Sequence, residues 1–189
     1  MKIISLVGES PNDTGAIKNL LLKELKNHRI EFVNLLNNIH GSMLDSQKTK
    51  RFLRIEFEDK NPQVCIIIRD LDGLENEKSK IASRKKYFSE TNKIVNKTGI
   101  FLLNIYVIEA LILSDVDTFN KIYQIKLSKP KDPMKVKEPK EYLINSTKKS
   151  SNKYTESENQ NIFKKLDPNN LSRNCRYYKT FIIELKKAI

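Results

Sequence analysis

Short apolar runs alternate with amphipathic or charged segments along this chain. The runs are typical of strands buried in a sheet, and four are found: residues 2–7, 31–36, 64–68 and 100–107. The intervening segments have helical spacing or high charge. They predict three helices: one capped by Asp13 or Thr14, and others over residues 45–58 and 74–97. Residues 52–57 also alternate as in a strand, so a strand is the alternative there. A turn is expected over residues 37–42.

This alternation of strands and helices predicts an α/β fold with a mainly parallel, Rossmann-like sheet flanked by helices. A further helix is expected from Glu109 to about Tyr123. Beyond residue 127 the chain is punctuated by prolines and rich in lysine. We therefore predict a core domain over 1–127 and a basic, mostly helical C-terminal extension over 128–189, packed together as one globular unit. Residues 146–161, which are polar, are expected to form a mobile loop.

Charge is distributed unevenly along the 189 residues, whose net charge is +12. Residues 121–189 carry 17 Lys and Arg against 7 Asp and Glu, whereas residues 1–120 carry 18 against 16. A near-neutral front half and a basic back half favour a polyanionic partner such as nucleic acid. A general bias toward lysine explains many lysines but not this asymmetry.

Several classes of protein are disfavoured by the composition. A run of about 18 apolar residues is absent, so no membrane span is expected. The first residues are typical of a strand rather than a signal peptide. Two cysteines and two histidines favour neither a disulfide framework nor a zinc site. These features predict a reduced, cytoplasmic location.

Acidic residues stand where the predicted strands end. Asp70 and Asp72 follow the apolar run 64–68, Glu9 follows the first strand, and Glu109 follows the run 100–107. A D-x-D-G sequence is also common in simple turns, and an acid on a first helical turn suits the helix dipole. However, the carboxyl ends of neighbouring parallel strands meet at one edge, where ligands bind. Clustered carboxylates repel one another unless a cation is present, so we predict one or two Mg²⁺ or Mn²⁺ ions there.

The order of these acids resembles the TOPRIM fold, which topoisomerases, bacterial primases and the OLD (overcoming lysogenization defect) nucleases share. More closely, the chain resembles a small TOPRIM-like family of prokaryotes. The similar segments cover most of the chain: Val7-Gly8-Glu9, Arg69 to Gly73, Ile108 to Asp115, Asp132-Pro133 through Lys140, and the closing helix after Arg173. The glycine that often follows the TOPRIM glutamate is replaced here by Ser10-Pro11.

The resemblance implies roles for the four acids. Glu9 would be a metal ligand or general acid/base, Asp70 and Asp72 would bind Mg²⁺ or Mn²⁺, and Glu109 would serve a second metal. Relatives often occur beside an ABC-type ATPase, which implies such a partner and a role in anti-phage defence.

The leading hypothesis is therefore a metal-dependent nuclease with Glu9, Asp70, Asp72 and Glu109 as catalytic residues. Six cations are predicted to bind nucleic acid: Lys85, Lys86, Lys137, Lys140, Arg173 and Arg176. One alternative is a non-catalytic regulatory subunit that binds nucleic acid or an ATPase on the same scaffold. Another is toxin-like cleavage of RNA, because nothing in the sequence separates DNA from RNA as substrate.

Overall fold

The computed structural model describes residues 1–37, 39 and 41–189, with only the backbone of Ser42. Its centre is a four-stranded, entirely parallel sheet in the order β2-β1-β3-β4. The strands are β1 (Lys2–Val7), β2 (Ile30–Asn34), β3 (Val64–Asp70) and β4 (Gly99–Asn104). This architecture confirms the predicted α/β class with a Rossmann-like parallel sheet. The turn expected over 37–42 includes Asn38 and His40, which lie outside the described residues.

Helices cover both faces of the sheet. They are α1 (Pro11–Glu24), α2 (Gln47–Lys60), α3 (Lys78–Ile94), α4 (Glu109–Leu113), α5 (Val116–Tyr123), α6 (Pro139–Thr147), α7 (Asn159–Phe163), α8 (Pro168–Asn174) and α9 (Arg176–Ala188). Short 3₁₀ helices span Gly41–Asp45, Pro133–Lys135 and Glu156–Glu158. None of the described helices combines the length and apolar character needed to cross a membrane.

The apolar run of β3 serves two cores at once. Ile66 and Ile68 face a large core that is shared with α1, α4, α5 and the C-terminal helices. Cys65 and Ile67 face a smaller core under α2 and α3. Because side chains alternate across a strand, a central strand covered on both faces must be apolar at every position. This burial explains why the run is continuous rather than alternating.

Three local expectations were wrong. Helix α1 begins at Pro11, and Ser10 rather than Asp13 or Thr14 is its N-cap, accepting from the Asp13 N–H at 3.1 Å. The single helix expected from Glu109 is interrupted at Asp115, a buried side chain whose oxygens accept from the 167–170 segment. The segment 146–161 is not a mobile loop, because it contains helical turns and packs Tyr154 and Asn159 into the interior.

Candidate acidic site and basic cleft

Carboxylates gather at the carboxyl-terminal edge of the sheet. Glu9 follows β1, Asp70 ends β3, and Glu109 begins α4 shortly after β4. Asp13 joins them from the first turn of α1. We call Glu9, Asp13, Asp70 and Glu109 the acidic site. The structure therefore brings together three of the four acids predicted from the sequence and adds one that was not predicted.

A buried arginine holds Glu9 in place. Arg69 is 1 % exposed, and its Nε donates to Glu9 Oε1 at 2.8 Å. The other end of its guanidinium donates to both oxygens of Asp45 at 3.2 and 3.3 Å, and its face lies over the ring of Tyr87. Glu9 Oε1 also accepts from the Asp70 N–H at 3.1 Å. These bonds orient the Glu9 carboxylate toward the end of β3.

Asp70 is strongly affected by its burial and by the neighbouring carboxylates. Burial raises the pKa of Asp70 well above its usual value, and the negative charges of Asp13, Glu9 and Glu109 raise it further. The Asn104 Nδ2 donates to Asp70 Oδ1 at 2.9 Å and opposes the shift. Since each neighbouring charge acts on Asp70, the four carboxylates belong to one electrostatic unit.

Asp13 was missed as a site residue and interpreted only as a helix cap. Burial raises the pKa of Asp13 to about 6, and the charges of Glu109, Glu9 and Glu156 contribute to the rise. Ser10 donates to its Oδ2 at 2.8 Å and lowers the pKa in part. The sequence feature that could have placed Asp13 in the site is Ser10-Pro11, because a capping serine followed by proline starts the helix at residue 11. An early start puts Asp13 on the first turn, beside the end of β1.

Glu109 is held by the C-terminal extension. Its side chain is buried, and its Oε1 accepts from the Asn159 Nδ2 at 3.1 Å. The Tyr154 hydroxyl lies 3.1 Å from the same oxygen and 2.8 Å from Asn159 Oδ1, so its single proton serves one acceptor at a time. A buried carboxylate needs such donors, and here residues far along the chain supply them.

Asp72 is separated from the acidic site. Its carboxylate is exposed and pairs with Arg84 Nη2 at 2.7 Å, while Arg84 Nε donates to the Asp70 carbonyl at 2.7 Å. The backbone of Asp72 has a φ of 55°, in the left-handed region. In this structure the Asp72 carboxylate pairs with Arg84, whereas the sequence interpretation placed it with Asp70 on one cation.

The acidic site offers the hard oxygen ligands that Mg²⁺ and Mn²⁺ prefer. Within the described residues, no three acidic, histidine or cysteine side chains stand ready to hold one ion together. The donor chemistry nevertheless fits, because Asn104 adds a buried amide oxygen that has no hydrogen-bond partner in the described structure. Buried polar atoms are normally satisfied, so an unpaired oxygen on the side chain whose Nδ2 donates to Asp70 is consistent with a cation ligand.

The predicted nucleic-acid cations are found in different places. Lys140 pairs with Glu156, and the charge of Glu109 also raises the pKa of Lys140, so this lysine borders the acidic site. Lys85 and Lys86 are exposed on α3, and Lys137 is exposed before α6. Arg173 and Arg176 line a surface depression beside α8 and α9.

A basic cleft lies between the Pro133–Lys135 turn, α8 and α9. Six exposed cations line it: Lys129, Lys131, Lys135, Arg173, Arg176 and Lys179. Two acidic residues also line the cleft: Asp132 pairs with Lys135 at 3.6 Å, and Glu75 pairs with Arg176. Glu75 belongs to the loop that follows Asp72, so the cleft adjoins the loop after β3. Only the two arginines of this cleft were predicted.

Comparison with protein-family models, with curated proteins and with solved structures gave no match for this chain.

Proposed function

We propose that this protein is a divalent-metal-dependent nuclease that hydrolyses phosphodiester bonds in DNA or RNA. The observation that carries the proposal is the placement of Glu9, Asp13, Asp70 and Glu109 at one edge of the sheet, where Glu9 Oε1 accepts from the Asp70 N–H and burial raises the pKa of Asp70. Four like charges at a partly buried sheet edge are costly to keep close. A function that uses a cation supplies a reason for them to remain.

The ligands of the cation would be Glu9, Asp70 and Glu109, together with Asp13. Asp72 would join only if its carboxylate left Arg84. A bound Mg²⁺ or Mn²⁺ would supply an activated water and stabilise the leaving oxygen of a phosphodiester.

Other side chains have roles that follow from their contacts. Arg69 fixes the orientation of Glu9 through the 2.8 Å bond to its Oε1. Tyr154 and Asn159 orient Glu109. Lys140 brings a positive charge to the rim of the acidic site, where it would offset charge that develops on a phosphate.

The basic cleft would hold the nucleic-acid backbone. Lys131, Arg173 and Lys179 line it without an ion pair among the described residues, so they are available to phosphate groups. The adjoining loop after β3 links the cleft to the acidic site. The resemblance to TOPRIM and OLD proteins supports the same proposal. It extends the proposal to an ABC-type ATPase partner, anti-phage defence and a cytoplasmic location.

The test is a cleavage assay with plasmid, linear duplex, single-stranded DNA and total RNA, each with Mg²⁺ or Mn²⁺. Wild type is compared with Asp70→Asn and with Asp59→Asn, which changes an exposed aspartate at the far end of α2. We expect Asp70→Asn to lose about a hundredfold or more in rate, the size typical of removing one charge-stabilising group. The Asp59→Asn control should cleave like wild type.

Calorimetric titration with Mn²⁺ distinguishes the remaining outcomes. Binding by wild type but not by Asp70→Asn, without cleavage, would support the metal site and indicate that a partner such as the ATPase is needed for activity. If wild type neither binds Mn²⁺ nor cleaves any of the substrates, the proposal is overturned. The non-catalytic binding subunit would then account better for the basic cleft.

A further inference from the structure

A groove between α2 and α3 lies outside the acidic site and the basic cleft. Both helices run antiparallel to the strands, because α2 leads into β3 and α3 leads from β3 to β4. They therefore lie side by side with parallel axes over the smaller core. The groove between them is lined chiefly by Lys50, Arg51, Arg54, Ile55, Lys93 and Ile94.

The groove exposes apolar side chains from both helices. Ile55 on α2 is 62 % exposed, and Ile94 on α3 lines the same groove and is only partly buried. Clustered exposed apolar groups mark interaction sites more often than single ones do.

The rim of the groove is positively charged. Glu90 is the acidic residue that lines it, and this carboxylate is engaged by Lys50 at 2.6 Å. Lys50 lowers the pKa of Glu90, and the charges of Lys86 and Lys93 lower it further. Arg51, Arg54 and Lys93 make no ion pair among the residues that the structure describes. A complementary surface would therefore be acidic.

We infer that this groove is the docking site for an acidic amphipathic helix of a partner protein. A helix laid between two parallel helices contacts both, and its apolar side chains at i, i+3, i+4 and i+7 would cover Ile55 and Ile94. Its Asp and Glu side chains would face Arg51, Arg54 and Lys93. The inference does not depend on the proposed nuclease function.

Two other occupants are less suited to this surface. A second copy of the chain carries a net charge of +12 and would be repelled by the cationic rim. Nucleic acid matches the charge, but the aliphatic surface of Ile55 and Ile94 offers no ring for base stacking. The basic cleft, which is polar and is lined by six cations against four in the groove, suits nucleic acid better.

The experiment is selection from a displayed library of 20-residue helical peptides with random surface positions. The baits are wild type, the groove variant Ile55→Asp/Arg54→Glu and the matched control Ile183→Asp/Lys187→Glu, which alters an exposed isoleucine and lysine on α9. Circular dichroism checks that each bait is folded, and Arg51→Glu/Lys93→Glu serves as a second groove variant. Enriched peptides are then synthesised, and their affinities are measured by fluorescence anisotropy.

We expect enriched peptides to be acidic with apolar residues at helical spacing. They should bind the groove variants about tenfold or more weakly than wild type, and the control within about twofold. Failure to enrich acidic helices, or equal binding to all baits, would overturn the inference. It would also be overturned if the groove variants abolished dimerisation in analytical ultracentrifugation, which would indicate a second copy. A tenfold loss of binding to a 20-base-pair duplex in the groove variants would also overturn the inference, because it would indicate that the groove binds nucleic acid.

Discussion

The acidic site and the basic cleft gather like charges in opposite ways. In the acidic site Glu109 is buried and Asp13 and Asp70 are half-buried, so burial and the neighbouring charges raise the pKa values of Asp13 and Asp70. In the basic cleft all six cations are exposed to water, which screens their repulsion. Clustering is therefore costly in the first region and nearly free in the second.

This difference determines how strongly each region indicates function. Exposed lysines accumulate on a surface at little cost, so the cleft supports a polyanion partner mainly through its concave shape and its position beside the loop after β3. The acidic site needs a buried arginine, a tyrosine and two asparagines to hold its carboxylates. Carboxylates held by several dedicated side chains are more typical of a site with a chemical role. Three measurements would break or sharpen this comparison.

The largest effect is expected from Arg69→Met, which removes the buried cation and leaves the Glu9 carboxylate without its ion pair. We expect the free energy of unfolding to fall by about 3–5 kcal/mol, the usual cost of breaking a buried pair. Urea unfolding at neutral pH measures the change. Arg54→Met, on the exposed face of α2, should stay within about 0.5 kcal/mol of wild type. A loss below about 1 kcal/mol for Arg69→Met would show that the acidic site does not depend on the ion pair between Arg69 and Glu9.

An intermediate effect is expected from Asp13→Asn on the pH dependence of stability. The folded pKa of Asp13 is about 6 and its ordinary value is 3.8, so between these pH values the folded state binds more protons. The free energy of unfolding of wild type should therefore fall as pH rises from about 4 to 6. Asparagine does not titrate, and removing the Asp13 charge also eases the repulsion on Asp70.

We expect Asp13→Asn to be more stable than wild type above pH 6 by about 3 kcal/mol, since the pKa rises from 3.8 to about 6 and one pKa unit corresponds to about 1.4 kcal/mol. Urea unfolding at pH 4, 5, 6 and 7 with a chelator measures this difference. The control Asp117→Asn, on the exposed side of α5, should follow the wild-type profile. Identical profiles for Asp13→Asn and wild type would contradict the electrostatic coupling of the acidic site.

The smallest effect on stability is expected in the basic cleft. Lys131→Gln/Arg173→Gln should change the free energy of unfolding by less than about 0.5 kcal/mol. Binding to DNA or RNA should weaken about tenfold at low salt, and the slope of log affinity against log salt should fall by about 2. Anisotropy titrations at several salt concentrations test this, with Lys26→Gln/Arg29→Gln as a surface control. An equal loss of nucleic-acid affinity in the cleft variant and in the surface control would show that binding is not located at the cleft.

Much of the fold could be predicted because burial of β3 on both faces leaves an unmistakable apolar run. The ends of that run also located Asp70, and the same logic located Glu9 and Glu109. Arg69 could not be predicted as a buried residue, because its burial depends on Glu9, Asp45 and Tyr87 arriving from three other segments. Asp72 was expected in the acidic site, but Arg84 on α3 holds its carboxylate elsewhere.

The sequence by itself determined the α/β class, the parallel direction of the strands and the edge at which acids would collect. These features depend on local periodicity and on the rule that strands joined by helices run parallel. Only the tertiary structure decided which acids interact, that Asp13 is among them, and that Tyr154 and Asn159 of the C-terminal extension hold Glu109. Those outcomes depend on side chains far apart in the chain, whose positions follow from how the helices pack onto the sheet.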